Sequence, residues 1–157
     1  MVRLVPMSEV DFQEWRVASI ENYAQEHVKA GNWDPAEAPK RAAKEFQQIL
    51  PQGLSSKKQH LYSVEDSETG SKVGMIWFGL REEVSPRAFI YDFRVYEEYQ
   101  RRGFGLQTLQ ALEEKVRELG VETISLHVFG HNHPAIALYK KAEYEVTDMI
   151  MSKTLKE

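Results

Sequence analysis

Three groups of residues in this chain are equipped for chemistry. The first is the turn Tyr99-Gln100-Arg101-Arg102-Gly103-Phe104-Gly105, set between a β-type run and a helical one. Glycines there let the backbone come close to a ligand, and the unpaired N–H groups at the positive end of the following helix favour an anion. Arg101 and Arg102 add positive charge, although on residue types alone the same turn is equally a tight loop with solvated arginines. It is neither a dinucleotide fingerprint, which needs glycine where Thr108 stands, nor a Walker loop, which needs Gly-Lys-Ser/Thr. The second group is Asn132 followed by Tyr139. Asn132 suits a helix cap, while Tyr139 shares a helical face with Ala135, Leu138 and Ala142, so its ring points inward and its hydroxyl needs a partner. The third group consists of two titratable strand residues. His127 alternates away from Ile124, Leu126 and Val128, and an imidazole titrates close to neutrality. Asp92 interrupts the apolar run FIYDFRV, where it is a candidate base or simply an i, i+2 ion-pair partner of Arg94.

The elements that must position these groups follow from periodicity and punctuation. The chain has 157 residues, 42% hydrophobic and 28% charged, which predicts one ordered domain over 1–157. Without cysteine there is no disulfide framework, thiol nucleophile or cysteine zinc cluster. The longest apolar stretch, Val73 to Leu80, is far short of a bilayer span, and MVRLVPMSEV lacks an apolar leader core, so a cytoplasmic protein is expected. A net charge of −4 argues against a general nucleic-acid binder. Val2 to Val5 reads as a strand. Ser8 caps a helix to about Ala30, and Asp34-Pro35 starts a second that fades near Leu50. Leu61–Val64 and Lys72–Leu80 form a hairpin, and Ala88–Val95 is a further strand. Gly103 to Leu119 is an amphipathic helix ended by Gly120, Thr123–Phe129 alternates as a strand, Asn132 to Ala142 is a short helix, and Tyr144–Thr154 is a last strand. The order βααβββαβαβ indicates a mixed α/β sheet.

The Gln100–Gly105 segment resembles the acyl-CoA-binding motif, Gln/Arg-x-x-Gly-x-Gly/Ala, of the GNAT N-acetyltransferase superfamily. Asn132 to Tyr144 resembles the same family's Asn-x-x-Ala-x-x-Leu-Tyr-x-x-x-Gly-Phe pattern. The element order matches as well, so the resemblance covers most of the chain and is most specific from Ile90 to Tyr144. It implies a GNAT-like mixed, mostly antiparallel β-sheet flanked by helices, with acetyl-CoA as acyl donor and no metal. It further implies that the main-chain amides of Gln100, Arg101, Arg102, Gly103, Phe104 and Gly105 hold the CoA pyrophosphate. Phe93 and Val95 would pair with the pantetheine arm, Asn132 would contact that arm, and Tyr139 would protonate the departing thiolate. In this family a β-bulge and splayed strands expose the pairing groups, features that nothing in this sequence reveals. His127 stands where some members carry an acidic residue that deprotonates the amine. Glu143 occupies the place where the family most often has glycine, which puts the local turn geometry in doubt.

Acyl transfer to an amine needs the neutral amine. An α-amine with a pKa near 7.7 is about one-sixth neutral at pH 7, a lysine near 10.4 only about one part in 2,500, a handicap of about 3.7 kcal/mol. A base therefore matters most for lysine-like acceptors. The expected partners are a CoA thioester and an amine, with neither nucleic acid nor membrane, and a homodimer is left open. The acceptor groove implied by the resemblance would draw on Tyr23, His27, Trp33, Trp77 and Phe78, which are otherwise core aromatics. Small amines, protein N-termini and lysine side chains all fit. From a different class, a non-catalytic acyl-CoA-binding sensor or assembly module fits the glycine turn but has no need of Tyr139.

Overall fold

A computed structural model describes residues 1–82 and 85–156; Glu83, Val84 and Glu157, part of the span read as one domain, lie outside the described residues. The elements run β1 (Val2–Pro6), α1 (Glu9–Lys29), α2 (Ala38–Ile49), β2 (Gln59–Asp66), β3 (Lys72–Glu82), β4 (Pro86–Val95), α3 (Phe104–Glu118), β5 (Thr123–Leu126) and α4 (His133–Lys141). The five strands form one sheet in sequence order, antiparallel from β1 to β4, with β5 parallel to β4 across the α3 crossover. This is the expected mixed, mostly antiparallel sheet flanked by helices.

Local chemistry explains the element ends. The Ser8 hydroxyl accepts the Asp11 N–H at 3.2 Å and starts α1. Asp34 does not start α2: its carboxylate accepts the Ala36 N–H at 2.8 Å in a separate turn, and the helix begins at Ala38. This is the competition for backbone donors that keeps aspartate at turns. The central strand β3 is buried on both faces, which is why Val73 to Leu80 reads as a continuous apolar run. Met75 and Trp77 pack with Phe12, Trp15 and Phe46 of α1 and α2, while Ile76 and Phe78 pack with Leu109, Leu112 and Val116 of α3.

Two expectations fail near the C-terminal end. The strand read as Thr123–Phe129 stops at Leu126, because β4 pairs with β5 only from Arg87–Thr123 to Ile90–Leu126. The strand read as Tyr144–Thr154 does not form: no strand among the described residues pairs with it, and Glu145 to Lys156 are exposed throughout. The departure at Glu143 is real, since this residue adopts φ +70° after the end of α4. A side chain there costs about 1–2 kcal/mol, partly offset by the greater chain freedom of an unfolded glycine. Glu143→Gly is therefore expected to raise stability by about 0.5–1 kcal/mol, read as a small increase in the urea midpoint at unchanged slope.

Candidate active site

β4 and β5 part after Ile90 and Leu126, and the gap opens into a cleft of about 730 Å³, within the range typical of small-ligand sites. Its walls come from Tyr91 to Arg94 on β4, Leu126 at the end of β5 and His127 to Phe129 beyond it, α1, and the start of α4. A β-bulge lies on the same stretch: Trp77 pairs with Asp92 but Phe78 with Ile90, leaving Tyr91 as the extra residue. Bulge and parting re-aim the end of β4 and strip it of a neighbour on the β5 side. Neither has a local sequence signal.

The glycine turn lies at the end of β4. Gly103 takes φ +84° as the N-cap of α3 and brings no side-chain cap, whereas α1 and α4 are capped by Ser8 and Asn132. The first N–H groups of α3 thus have no side-chain acceptor, and at the positive end of the helix dipole they suit an anion. Arg101 also has a positive φ, +65°, and its side chain is exposed beside that of Arg102. Phe104 contributes only its backbone here, because its ring is buried in the core. Gly105 has a packing role: a Cβ there would lie 3.0 Å from Leu138 Cδ2, where α3 meets α4. The Gln100 side chain donates to the Val95 carbonyl at 2.9 Å, which ties the turn to β4 and leaves that carbonyl engaged. The Phe93 N–H is likewise engaged, donating to its neighbour's Asp92 Oδ1 at 2.9 Å. Gln107, which sequence reasoning missed, places its side-chain nitrogen 3.7 Å from the Cβ position of Gly103.

Asn132 and Tyr139 both line the cleft. The Asn132 side chain accepts the Ala135 N–H at 3.3 Å, so its carbonyl is the α4 cap. The Tyr139 ring lies between Phe93 and Tyr144, with ring centres 6.4 and 5.7 Å away. Burial, with the Asp92 charge adding to it, pushes the Tyr139 phenol up to about 12. Burial and then the Glu45 carboxylate push Tyr23 up to about 12, and Tyr144 moves the same way through burial. Unfolded tyrosines titrate near 10, so between about pH 10 and 12 the unfolded chain loses protons that the folded chain retains. Stability is accordingly expected to be full below pH 10 and to fall as pH rises through 12. Urea midpoints taken at about pH 9 and 11.5 check this, and the fall should be shallower in Tyr139→Phe.

Asp92 is not the simple partner of Arg94 that its spacing suggests. Its Oδ2 accepts from Trp15 Nε1 at 2.9 Å and Ser19 Oγ at 2.8 Å, both on α1, and Arg94 Nε stands 3.5 Å away. The carboxylate therefore fastens α1 to β4 at the cleft floor. His127 is exposed on the opposite wall, its ring edge-on to Phe129 at 4.8 Å. Facing it is His27 of α1, stacked on Trp33 at 4.0 Å and edge-on to Phe129 at 4.9 Å. Burial holds the His27 imidazole below the usual range, and the His127 charge lowers it further. Glu26 and His131 pair across the same opening. Of the aromatics named from sequence, Tyr23 and His27 line the cleft, Trp33 stacks on His27 outside the lining, Trp77 forms the floor with Nε1 bonded to Gln59, and Phe78 is core on the far face. Phe129 and the Glu26–His131 pair were not anticipated.

Comparison with known proteins agrees with this geometry. Residues 18–144 match the family model described as the Acetyltransferase (GNAT) family. The chain is 38% identical over 155 residues to the uncharacterized N-acetyltransferase YycN of Bacillus subtilis, covering 98% of this chain and 99% of that one. The crystal structure of YycN superposes with a TM-score of 0.94 over 100% of both chains. YdgE, another uncharacterized N-acetyltransferase of B. subtilis, is 33% identical over 154 residues, 97% of each chain. At 14% identity the structure of AAC(6')-Iy, in complex with a CoA-containing bisubstrate analogue, shares the fold with a TM-score of 0.63 over 99% of each chain. This chain belongs to the acetyltransferase (GNAT) family.

Proposed function

We propose that this protein is an acetyl-CoA-dependent N-acetyltransferase that acts on a primary amine by direct attack within a ternary complex. The observation that carries this reading is the coincidence, at one cleft, of parted strands, an uncapped helix N-terminus and a half-buried tyrosine whose phenol is held neutral. In this account the amides of Gln100 to Gly105, with Arg101 and Arg102 beside them, hold the pyrophosphate. The end of β4 guides the pantetheine arm through backbone groups of Phe93 and Val95 other than the two already engaged, and the free amide nitrogen of Asn132 contacts the arm from α4. Bound acetyl-CoA supplies the activated acyl carbon.

The acceptor enters between α1 and the 127–131 segment, against the His27 and Phe129 rings. His127 takes one proton as the amine forms the new N–C bond. Tyr139 donates a hydrogen bond to the sulfur as the C–S bond breaks, leaving CoA thiolate and an amide. Asp92 keeps α1 and β4 in register, which makes it a positioning residue here rather than the base. No covalent relay is invoked, in keeping with the absence of cysteine.

The test is amine-dependent release of the CoA thiol from acetyl-CoA across polyamines, amino acids, aminoglycosides and peptides. Turnover with at least one acceptor class is expected; binding of CoA with silence across the panel would point to an acyl-CoA sensor or assembly module. The base is checked by the pH profile with a lysine-like acceptor, whose own titration lies about 4 units above that of an imidazole. A rate limb in the imidazole range is expected, lost in His127→Ala and retained in Asp92→Asn. Because the His127 charge lowers the His27 imidazole, His27→Ala is the needed control, and the limb should persist in it. A limb that disappears in Asp92→Asn and persists in His127→Ala would transfer the role to the carboxylate.

A further inference from the structure

One cation of the cleft is held in a fixed direction and has no anion. Arg81, the penultimate residue of β3, lines the cleft together with Phe89 and Tyr91 of β4. Its guanidinium lies over the Phe89 ring at 3.9 Å, and Nη2 donates to the Tyr91 hydroxyl at 3.1 Å. Tyr91 is itself held. It is the extra residue of the bulge, its ring stacks on Trp77 at 4.6 Å, and it crosses Gly79, where a Cβ would come to 2.8 Å from Tyr91 Cε2. Trp77 is fixed in turn by its Nε1, which donates to Gln59 at 2.8 Å. The chain of contacts from Gln59 through Trp77 and Tyr91 therefore sets the direction of the Arg81 guanidinium before any ligand arrives.

The charges around it decide what it can take. The carboxylates that line the cleft are engaged: Asp92 by Trp15, Ser19 and Arg94, Glu26 by His131, and Glu45 by the Tyr23 hydroxyl at 3.3 Å. Of the other cations on the wall, Arg94 has Asp92, and Lys29 is exposed in the last turn of α1. Arg81 forms no ion pair among the described residues, and of its five N–H groups one is engaged, on Tyr91. A guanidinium stacked on a ring keeps its N–H edges for a planar anion, and its fork matches a carboxylate with two parallel bonds. Phe89 pairs with Ser125, and His127 follows two residues later, so the level of Phe89 in the sheet lies about 7 Å from that of the proposed base. An anion on Arg81 is thus several bonds away from an amine at His127.

We propose that Arg81 selects the acceptor: the substrate is an amine that carries a carboxylate several bonds away, of the ω-amino acid or dipeptide type. The Arg81 fork holds the carboxylate over Phe89, and the amine is turned towards His127 and the thioester. Tyr91 is a positioning residue for the guanidinium. The identity of the reacting amine rests on the acetyl-transfer reading, whereas the anion site is measurable without turnover.

Calorimetric titration of the CoA-saturated protein with ω-acetamidohexanoate, which has no free amine, and with its uncharged amide tests the site. The carboxylate should bind about tenfold or more tightly than the amide, as a charge-assisted pair requires. That preference should vanish in Arg81→Gln, persist in part in Arg81→Lys, which keeps the charge without the fork, and weaken severalfold in Tyr91→Phe. The same order is expected in kcat/KM for ω-aminohexanoate against its amide, with the difference mainly in KM. Equal binding of acid and amide to the wild type, or a preference that survives in Arg81→Gln, overturns the assignment and leaves acetyl transfer standing. So does tighter binding of the phosphonate analogue or of acetylspermidine. Discrimination by calorimetry without turnover of any amine upholds the anion site on Arg81 and removes acetyl transfer instead.

Discussion

Tyr139→Phe is expected to lower turnover with acetyl-CoA by about 10²- to 10³-fold while leaving CoA binding nearly unchanged. The substitution removes a hydroxyl and keeps the ring that packs against Phe93 and Tyr144. With the phenol raised to about 12, complete proton transfer to a thiolate of pKa near 8.5 would be uphill by about 5 kcal/mol. In the proposed mechanism the hydroxyl is therefore a hydrogen-bond donor to the developing negative charge, and the expected effect is that of one lost donor in a preorganised site. The proton that finally neutralises the sulfur is balanced by the one the amine gives up. Single-turnover rates measured where chemistry is limiting check the expectation; undiminished rates in the Phe variant would make Tyr139 a packing residue.

Gly103→Val is expected to abolish the protection that CoA gives against unfolding. In the wild type, CoA at a hundred times its dissociation constant should add about 2.7 kcal/mol of stability. Valine at φ +84° is a β-branched residue in the left-handed region, so the turn must rearrange and the amides of the cradle leave their common aim. Crowding within the protein is not the cause, since a Cβ at this position meets only the Gln107 side chain at 3.7 Å. Gly31→Val is the matched control. Gly31 has φ +81° with open space around it and lies beyond the end of α1, outside the turn. Both variants should lose basal stability to a similar extent, and only Gly31→Val should still respond to CoA. Equal CoA-dependent stabilisation of Gly103→Val would remove the pyrophosphate from this turn.

What the sequence disclosed and what it hid divide along the range of the interactions involved. Ser8, Asn132 and Gly120 act within a few residues of themselves, and the helices they bound appear where their spacing predicts. The β3 run is legible because burial on both faces leaves an unbroken apolar string. The Asp34 turn was misread because Asp-Pro begins helices and isolated turns alike. The ion pair of Asp92 with Arg94 is local and legible, whereas its anchoring by Trp15 and Ser19, 77 and 73 residues away, leaves no local signal. The Glu26–His131 pair spans 105 positions and left no local trace. For the same reason the bulge at Tyr91 was invisible, being a property of the pairing between two strands. The segment after Tyr144 is the converse case: its β-type composition predicts a strand, yet it pairs with no strand among the described residues.

The place of the thioester in the cleft is tested most directly by a crystal structure with a non-hydrolysable acetyl-CoA analogue. The pyrophosphate is expected on the amides between Gln100 and Gly105, the pantetheine arm between the parted ends of β4 and β5, and the sulfur within hydrogen-bond reach of the Tyr139 hydroxyl. An analogue bound elsewhere, or seated in the cleft with its sulfur turned away from Tyr139 and its acyl group out of reach of the His27–Phe129 side, would contradict it.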